Sequence, residues 1–329
     1  MKAAVYTRYG PPDVLEIKDV EKPAPGDHEV LVRIHATTVC AADWRLRRAD
    51  PFIVRFINGL WGPRRIHILG MEFAGEIESV GKAVTRFGKD DQVFGATGFK
   101  FGAHAEYVCL SEGALLAKKP ANMTFEEAAA VLFGGVTALH FLRKAKIKPG
   151  QKVLVYGASG SVGVFAVQLA KNFGARVTGV CSSANLDLVR SLGADEVVDY
   201  TRDDFSRAGP IYDIVFDAHG KSGFSRSLKS IKRGACYVRV GPSGGMLSFL
   251  GDILRGMWIS LTGAAKVIGG VTRSAVEDLA FLKELIEAGK LRTVIDRRYS
   301  LNEIAEAHRY AEGGHKRGHV VILLEETVE

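Results

Sequence analysis

Apolar and polar residues alternate along much of the first 120 residues. The segment 28–39 (HEVLVRIHATTV) has the period of a strand with one buried face. The segments 71–81 (MEFAGEIESVG) and 91–97 (DQVFGAT) are further strand candidates, and GPPD and KPAPGD predict turns between strands. Short strands at this density predict a small barrel or sandwich.

The pattern changes near Pro120. Thr124 and Glu127 have the spacing of a capping box, and the Ala-rich segment behind them predicts a helix. From Gln151 onward, continuous apolar runs such as KVLVYGA alternate with helical segments such as SVGVFAVQLAKNF. This alternation predicts an α/β domain whose parallel sheet is covered on both faces. The last 40 residues predict a helix and a strand that return to the first domain.

Composition narrows the class of protein. The length of 329 residues suggests two domains. A net charge of +7 favours anionic ligands, whereas nucleic acid is disfavoured because the basic residues are scattered among acidic ones. Four cysteines without a C-x-x-C pair indicate a reducing compartment, and we expect a cytoplasmic protein. No signal peptide and no membrane span are predicted.

A glycine-rich turn is the clearest chemical signal. Gly157, Gly160 and Gly163 follow an apolar strand and open a helix. Small residues let the backbone approach a pyrophosphate, and the helix N-terminus supplies N–H donors. Ala158 stands where the usual spacing has its first glycine. The alternative is a tight strand–helix turn without a ligand.

The next strand ends in Ser182 and Ser183. An NAD site usually has an acidic residue there for the ribose 2′-hydroxyl, so the serine pair favours NADPH. The loop itself has no basic residue, and Lys171, Arg176 or Arg190 would have to supply charge to a 2′-phosphate. The alternative is a surface turn capped by serine hydroxyls.

The order of several segments resembles the medium-chain dehydrogenase/reductase superfamily, in its zinc-free quinone oxidoreductase branch. The segments are CAADW, GMEFAGEIESVG, PANMTFEEAAA, GGVTA, GASGSVG and LGADEVVDY. The resemblance implies a GroES-like β-barrel catalytic domain at 1–122, completed by 289–329. It also implies a Rossmann domain at 123–288 with NADPH in the intervening cleft. KVIGGVT resembles the edge strand through which relatives form homodimers.

The expected cofactor-binding residues combine the glycine turn, the serine loop and positions implied by the resemblance. Asn185 and His319 stand where many relatives have lysine. The full expected set is Thr137, Ser159, Gly160, Ser161, Val162, Gly163, Ser182, Ser183, Asn185, Tyr200, Gly241, Arg317 and His319.

Cys40 matches the register of a zinc-ligating cysteine in the zinc-dependent relatives. Catalytic zinc needs three protein ligands, but Met71 and Phe133 stand where the other two would be, so no metal is expected. No catalytic residue is identified. The substrate-pocket candidates are Cys40, Asp43, Trp44, Met71 and Phe133. Structural roles for Cys40 as a buried thiol, Asp43 as a cap and Trp44 as core remain open.

The expected activity is reduction powered by NADPH. Without a Lewis acid, hydride transfer is easiest to a quinone or to the C=C bond of an α,β-unsaturated carbonyl. The alternatives are a zinc-type alcohol dehydrogenase and a non-catalytic NADPH-binding or interaction protein. The apolar, arginine-rich segment 43–70 predicts a mouth for a hydrophobic substrate, with a partner or membrane-surface contact as the alternative. The segment 244–263 is expected to flank the pocket or a dimer contact.

Overall fold

The structure is a computed structural model that describes residues 1–241 and 246–324. Gly244 and Gly245, which begin the apolar segment 244–263, therefore lie outside the described residues. The chain forms two compact units. Unit 1 comprises Met1–Phe133, Ala275–Gly289 and the chain from Thr293, and unit 2 comprises Gly134–Ser274 and Lys290–Arg292. The sequence placed its boundaries after residues 122 and 288 instead.

The first part of unit 1 is rich in strands. Its elements are β1 (Lys2–Val5), β2 (Glu16–Asp19), β3 (Glu29–Thr38), α1 (Ala41–Arg48), α2 (Val54–Asn58), β4 (Glu72–Val80), β5 (Gln92–Ala96), β6 (Tyr107–Ser111), β7 (Leu116–Lys118) and α3 (Phe125–Ala129).

Unit 2 alternates helices and strands. Its elements are α4 (Leu132–Lys144), which begins at the end of unit 1, β8 (Lys152–Tyr156), α5 (Ser161–Asn172), β9 (Arg176–Cys181), α6 (Leu186–Ser191), β10 (Glu196–Asp199), β11 (Tyr212–Asp217), α7 (Phe224–Ser230), β12 (Ile231–Arg239), α8 (Met246–Leu261) and β13 (Lys266–Ile268).

The chain then returns to unit 1. The returning elements are α9 (Val276–Glu287), β14 (Ile295–Ser300), α10 (Ile304–Glu312) and β15 (His319–Leu323). The side-chain amide of Asn122 donates to the Ile286 carbonyl at 2.9 Å, so α9 packs on unit 1. Strand β15 pairs antiparallel with β3, where Val321 lies opposite Thr38.

The main sheet of unit 1 has the order β14-β15-β3-β4-β5-β7, with β6 also paired to β3. The apolar positions of β3 predicted by alternation, Val30, Val32 and Ile34, are buried in one core of this unit. A second core, which includes Tyr6 and Val39, packs around α10. The alternating pattern therefore identified a strand that is hydrogen-bonded on both sides.

Unit 2 contains a six-stranded parallel sheet in the order β10-β9-β8-β11-β12-β13. From β8, the strands β9 and β10 extend the sheet toward one edge, and β11, β12 and β13 extend it toward the other, so the order switches between β8 and β11. Ligands of such doubly wound sheets bind at the carboxyl ends of the strands on either side of this switch point. The glycine-rich turn leaves β8 at this place.

The helix predicted behind Thr124 is two helices in the structure. The capping box is confirmed, because the Glu127 N–H donates to Thr124 Oγ1 at 3.2 Å and the Thr124 N–H donates to Glu127 at 2.9 Å. Helix α3 ends at Ala129 and α4 begins at Leu132. The first N–H groups of a helix lack intrahelical acceptors, and the Phe133 N–H donates instead to Glu72 at 2.6 Å. No described helix has the length and hydropathy needed to cross a bilayer.

Candidate functional site

The turn after β8 requires glycine at two positions. Gly157 has a φ of +77°, which strains any residue with a side chain. A Cβ on Gly163 would lie 2.0 Å from the Gly157 carbonyl oxygen, so the first turn of α5 can approach the loop only with glycine there. A Cβ on Gly157 would lie 3.5 Å from the Cβ of His219. The turn therefore borders the loop after β11, at the switch point of the sheet.

Helix α5 presents its N-terminus to this turn. Gly160 is the N-cap residue and contributes no side-chain cap to the first-turn N–H groups, which include those of Ser161, Val162 and Gly163. The positive end of a helix dipole and its N–H donors favour an anionic group such as a pyrophosphate. The predicted residues of the glycine turn are thus brought together at one place in unit 2.

Asn185 links the serine loop to the glycine turn. Its side-chain N–H₂ donates to Ser182 Oγ at 3.1 Å and to Ser159 Oγ at 3.2 Å. The residue is 7% exposed, and its Oδ1 is buried without a hydrogen-bond partner among the described residues. A buried acceptor without a donor carries an energetic cost, and a ribose hydroxyl is a donor of the right kind. The cluster therefore fits a nucleotide.

Asp199 is a residue that the sequence reasoning missed. It ends β10, and its carboxylate accepts hydrogen bonds from the hydroxyls of Ser183 and Thr201. These hydrogen bonds hold the pKa of Asp199 below its usual range. A negative charge thus lies beside the serine pair, although β9, the strand that leads into this pair, does not itself end in a carboxylate. Its position at the end of the neighbouring strand, in VVDY, was the available signal.

Three further predicted residues lie in unit 2. Thr137 is buried, and its hydroxyl oxygen lies 3.5 Å from that of Thr272. Tyr200 directly follows β10 and is 45% exposed, with its ring 6.3 Å from that of Tyr156. Gly241 has a φ of +78° and open space where a Cβ would be, next to the undescribed residues 242–245.

The last two predicted cofactor residues lie in unit 1. The Arg317 guanidinium is 3.5 Å from the Asp296 carboxylate, in an ion pair whose arginine is exposed and whose carboxylate is nearly buried. His319 is 2% exposed, and burial lowers its pKa to about 3. The imidazole is therefore neutral at pH 7, so His319 supplies no positive charge at this position.

Cys40 and Asp43 are both buried at the start of α1. Burial, reinforced by the charges of Asp43 and Glu72, raises the pKa of the Cys40 thiol well above its usual value. Asp43 accepts from the Cys40 N–H at 2.7 Å and from the Gly70 N–H at 2.9 Å. Each carboxylate oxygen thus accepts a hydrogen bond from a backbone N–H. This is the capping role that the sequence left open.

The other pocket candidates do not complete a metal site. Met71 is partly buried against the core, and Phe133 approaches Glu72 with its backbone N–H rather than with a ligating side chain. Trp44 is partly buried beneath the Arg45 guanidinium, 5.2 Å from the ring. Among the described residues, no group of three His, Cys, Asp or Glu side chains could hold a metal ion. A thioether and a phenyl ring do not fit zinc.

Glu72 and Lys316 are the titratable groups that sequence reasoning missed in unit 1. Glu72 is 1% exposed and accepts from Thr38 Oγ1 at 2.5 Å, and burial raises its pKa to about 7. Lys316 donates to the Gly318 carbonyl at 2.6 Å, and burial lowers its pKa to about 8, although the Glu72 carboxyl opposes this shift. Glu72 could have been found from the sequence, because it directly follows Met71, which was already a pocket candidate. A lysine in a C-terminal loop gives no such signal.

Two family models match the chain. Residues 26–121 match the alcohol dehydrogenase GroES-like domain, and residues 192–322 match a zinc-binding dehydrogenase model. The second description names zinc, but the side chains around Cys40 do not provide its ligands.

Curated relatives cover nearly the whole chain. A 2-methylene-furan-3-one reductase of Solanum lycopersicum is 33% identical and aligns with 98% of this chain and 79% of its own. A quinone oxidoreductase of Pseudomonas aeruginosa is 32% identical over 98% of this chain and 99% of its own. An NADPH-dependent alkenal/one oxidoreductase of Arabidopsis thaliana is 32% identical over 98% and 79%.

Solved structures share the fold. The quinone oxidoreductase from Coxiella burnetii has a TM-score of 0.88 at 30% identity, covering 99% of both chains. An NAD-dependent alcohol dehydrogenase has a TM-score of 0.84 at 29% identity, covering 99% of this chain and 100% of the other. The Escherichia coli quinone oxidoreductase complexed with NADPH has a TM-score of 0.84 at 25% identity, covering 98% and 100%. The predicted α/β fold class, with its GroES-like and Rossmann domains, is confirmed.

Proposed function

Because the chain belongs to the medium-chain dehydrogenase/reductase superfamily, in its quinone oxidoreductase-like branch, we propose that it is an NADPH-dependent, zinc-independent reductase. Its proposed substrates are quinones or the C=C bond of α,β-unsaturated carbonyl compounds. The observation that carries the proposal is the side-chain set around Cys40, where Met71 and Phe133 replace metal ligands. An oxidoreductase that binds a nicotinamide cofactor then needs an acceptor that takes hydride without a Lewis acid.

The cofactor part of the proposal concerns unit 2. The glycine turn and the N-terminus of α5 would hold the pyrophosphate, and Asn185 Oδ1 would accept from a ribose hydroxyl. The Ser182 hydroxyl would donate to the 2′-phosphate of NADPH, whereas the Ser183 hydroxyl lines the same loop and donates to Asp199. NADPH supplies the hydride when bound. The NADPH dependence of the Arabidopsis thaliana relative and the NADPH complex of the Escherichia coli quinone oxidoreductase support NADPH rather than NADH.

The proton part concerns unit 1. Reduction of a quinone or of a conjugated C=C bond needs a proton as well as a hydride, and a donor works best with a pKa near the working pH. Glu72 and Lys316, with pKa values of about 7 and about 8, both meet this condition. At pH 7 the Lys316 Nζ keeps its proton on most molecules, so it can donate one, whereas the Cys40 thiol is held protonated far above that range.

The substrate proposal is tested by NADPH absorbance loss with a panel of quinones, enals, enones and primary alcohols. We expect turnover of quinones or enones that a metal chelator does not change. Activity only with alcohols, or activity and stoichiometric zinc lost together on chelation, would establish the zinc-type alcohol dehydrogenase instead. Binding of NADPH without turnover of any acceptor would favour an interaction protein.

The cofactor proposal is tested by a charge change in the serine loop. A Ser183→Asp substitution adds a carboxylate beside Asp199, so the dissociation constant for NADPH should rise at least tenfold while that for NADH changes little. Ser191→Asp, on the exposed surface of α6, is the matched control. If the wild-type protein binds NADH as tightly as NADPH, the Asp199 charge dominates and the NADPH proposal is wrong.

The expected homodimer also becomes a proposal. Strand β13 pairs with β12 and ends the described sheet order of unit 2, and an edge strand can pair with a second copy. Light scattering over a range of concentrations should give the mass of two chains. A Val271→Asp change, at a side chain that is 68% exposed just after this strand, should reduce that mass by placing a charge at the edge.

A further inference from the structure

An exposed aromatic segment in unit 1 lies within the segment 43–70 that was predicted as a substrate mouth, and it contributes no residue to the site described above. We call residues 51–65, between α1 and β4, the aromatic–arginine segment. Trp61 is 84% exposed and Phe56 71% exposed, and Phe52 and Leu60 are 52% and 41% exposed. Large apolar side chains that are grouped at the surface often mark an interaction site, whereas single scattered ones do not.

The structure holds this segment in place. Asn58 is fully buried, and its side chain donates to the Tyr6 hydroxyl at 2.9 Å and accepts from the Ile66 N–H at 2.9 Å. The Tyr9 hydroxyl donates to the Gly59 carbonyl at 2.8 Å. The aromatic side chains are therefore presented outward from an anchored backbone, and their exposure is a property of the fold.

The charge of the segment is wholly positive. It contains Arg55, Arg64 and Arg65 and no acidic residue. Arg64 and Arg65 are exposed, and neither forms an ion pair with a described residue. The Arg55 guanidinium lies over the rings of Tyr9 and Phe52, at 5.0 and 5.3 Å. Aromatic side chains beside uncompensated arginines match the two layers of a membrane surface, which are the acyl boundary and the anionic headgroups.

We propose that the aromatic–arginine segment docks the protein onto anionic phospholipid bilayers. Trp61, Phe56 and Phe52 would enter the headgroup–acyl boundary, where aromatic side chains are favoured. Arg64 and Arg65 would pair with lipid phosphates and anionic headgroups. Binding of this interfacial kind adds buried apolar area to electrostatic attraction, and it needs no spanning helix.

A second apolar face, on α8, lacks this charge pattern. Leu254, Met257, Trp258 and Leu261 are 58–84% exposed. Nothing in the structure says what covers this face, so it serves here as the matched control. The docking surface does not depend on the proposed reductase activity, because binding to lipid is measured without turnover. If both hold, the enzyme would work at the surface in which lipophilic quinones dissolve.

The experiment is co-sedimentation with vesicles of phosphatidylcholine, with and without phosphatidylserine. We expect at least tenfold stronger partitioning onto the vesicles that contain phosphatidylserine, falling as salt rises. The Arg64→Gln/Arg65→Gln variant should partition about 25-fold more weakly, at about fivefold for each arginine. Phe56→Ser/Trp61→Ser should lose most of the binding, and Trp258→Ser should keep it. Circular dichroism and thermal midpoints establish that each variant is folded.

Three outcomes overturn the proposal. Wild-type protein that fails to bind phosphatidylserine vesicles at low salt refutes it directly. Equal losses in Trp258→Ser and in Phe56→Ser/Trp61→Ser would show that no specific surface is used. If Phe56→Ser/Trp61→Ser leaves vesicle binding intact but lowers the mass of the protein in light scattering, the segment is instead an interface between copies of this chain.

Discussion

The buried carboxyl group of Glu72 makes the stability of unit 1 depend on pH in a way that one substitution should remove. Burial raises the pKa of Glu72 from 4.5 to about 7. The folded protein thus binds this proton more tightly than the unfolded chain. The resulting stability is fully present below pH 4.5 and is lost as the pH rises through 7.

The size of the effect follows from the shift. A difference of about 2.5 pKa units at 1.36 kcal/mol per unit corresponds to about 3 kcal/mol. Glu72→Gln is neutral at every pH and keeps hydrogen-bonding atoms for Thr38 Oγ1 and the Phe133 N–H. The free energy of unfolding of the wild type minus that of the variant should therefore fall by about 3 kcal/mol between pH 4.5 and pH 8.

The assay can be restricted to unit 1. The chain has three tryptophans, and Trp44 and Trp61 lie in unit 1 whereas Trp258 lies in unit 2. In a Trp258→Phe background, urea unfolding followed by tryptophan fluorescence reports on unit 1. Glu76→Gln, on the same strand, is the control. Although burial opposes it, hydrogen bonding to Arg33 and Gln92 lowers the pKa of Glu76. The free energy of unfolding of the wild type minus that of Glu76→Gln should therefore rise with pH. If the free energy of unfolding of the wild type minus that of Glu72→Gln is constant from pH 4.5 to 8, the reasoning is refuted.

Three other predictions concern single substitutions, the first of them with a control variant. Gly163→Ala should abolish nucleotide binding and lower the thermal midpoint, because its Cβ would lie 2.0 Å from the Gly157 carbonyl oxygen. In the control Gly160→Ala, the Cβ would lie 3.5 Å from the same oxygen, so this variant should fold normally in the same thermal scan. Cys40→Ala should keep quinone or enone turnover within a few-fold, because burial holds the thiol protonated, and a hundredfold loss of kcat would contradict this. Thr124→Ala should destabilise unit 1 by about 1 kcal/mol in urea through loss of the capping box, and an unchanged midpoint would count against that role.

Local patterns predicted the elements well where they act over a few residues. Alternation identified β3, the Thr124–Glu127 spacing identified the start of α3, and the glycine pattern identified the turn between β8 and α5. Each depends on strand period, cap geometry or backbone sterics within a short window. The break between α3 and α4 was missed, because its stabilising hydrogen bond comes from Glu72, 61 residues away from Phe133.

The sequence by itself determined the two-domain α/β order, the glycine turn and the lack of zinc-ligating side chains at Met71 and Phe133. Residue identity and short-range period are sufficient for those conclusions. Only the tertiary structure decided that Asp199 lies beside Ser183 and that Cys40, Glu72 and Lys316 act on one another. The pKa of a group depends on its burial and on neighbouring charges. Both are set by strand pairing across hundreds of residues, which no local pattern records.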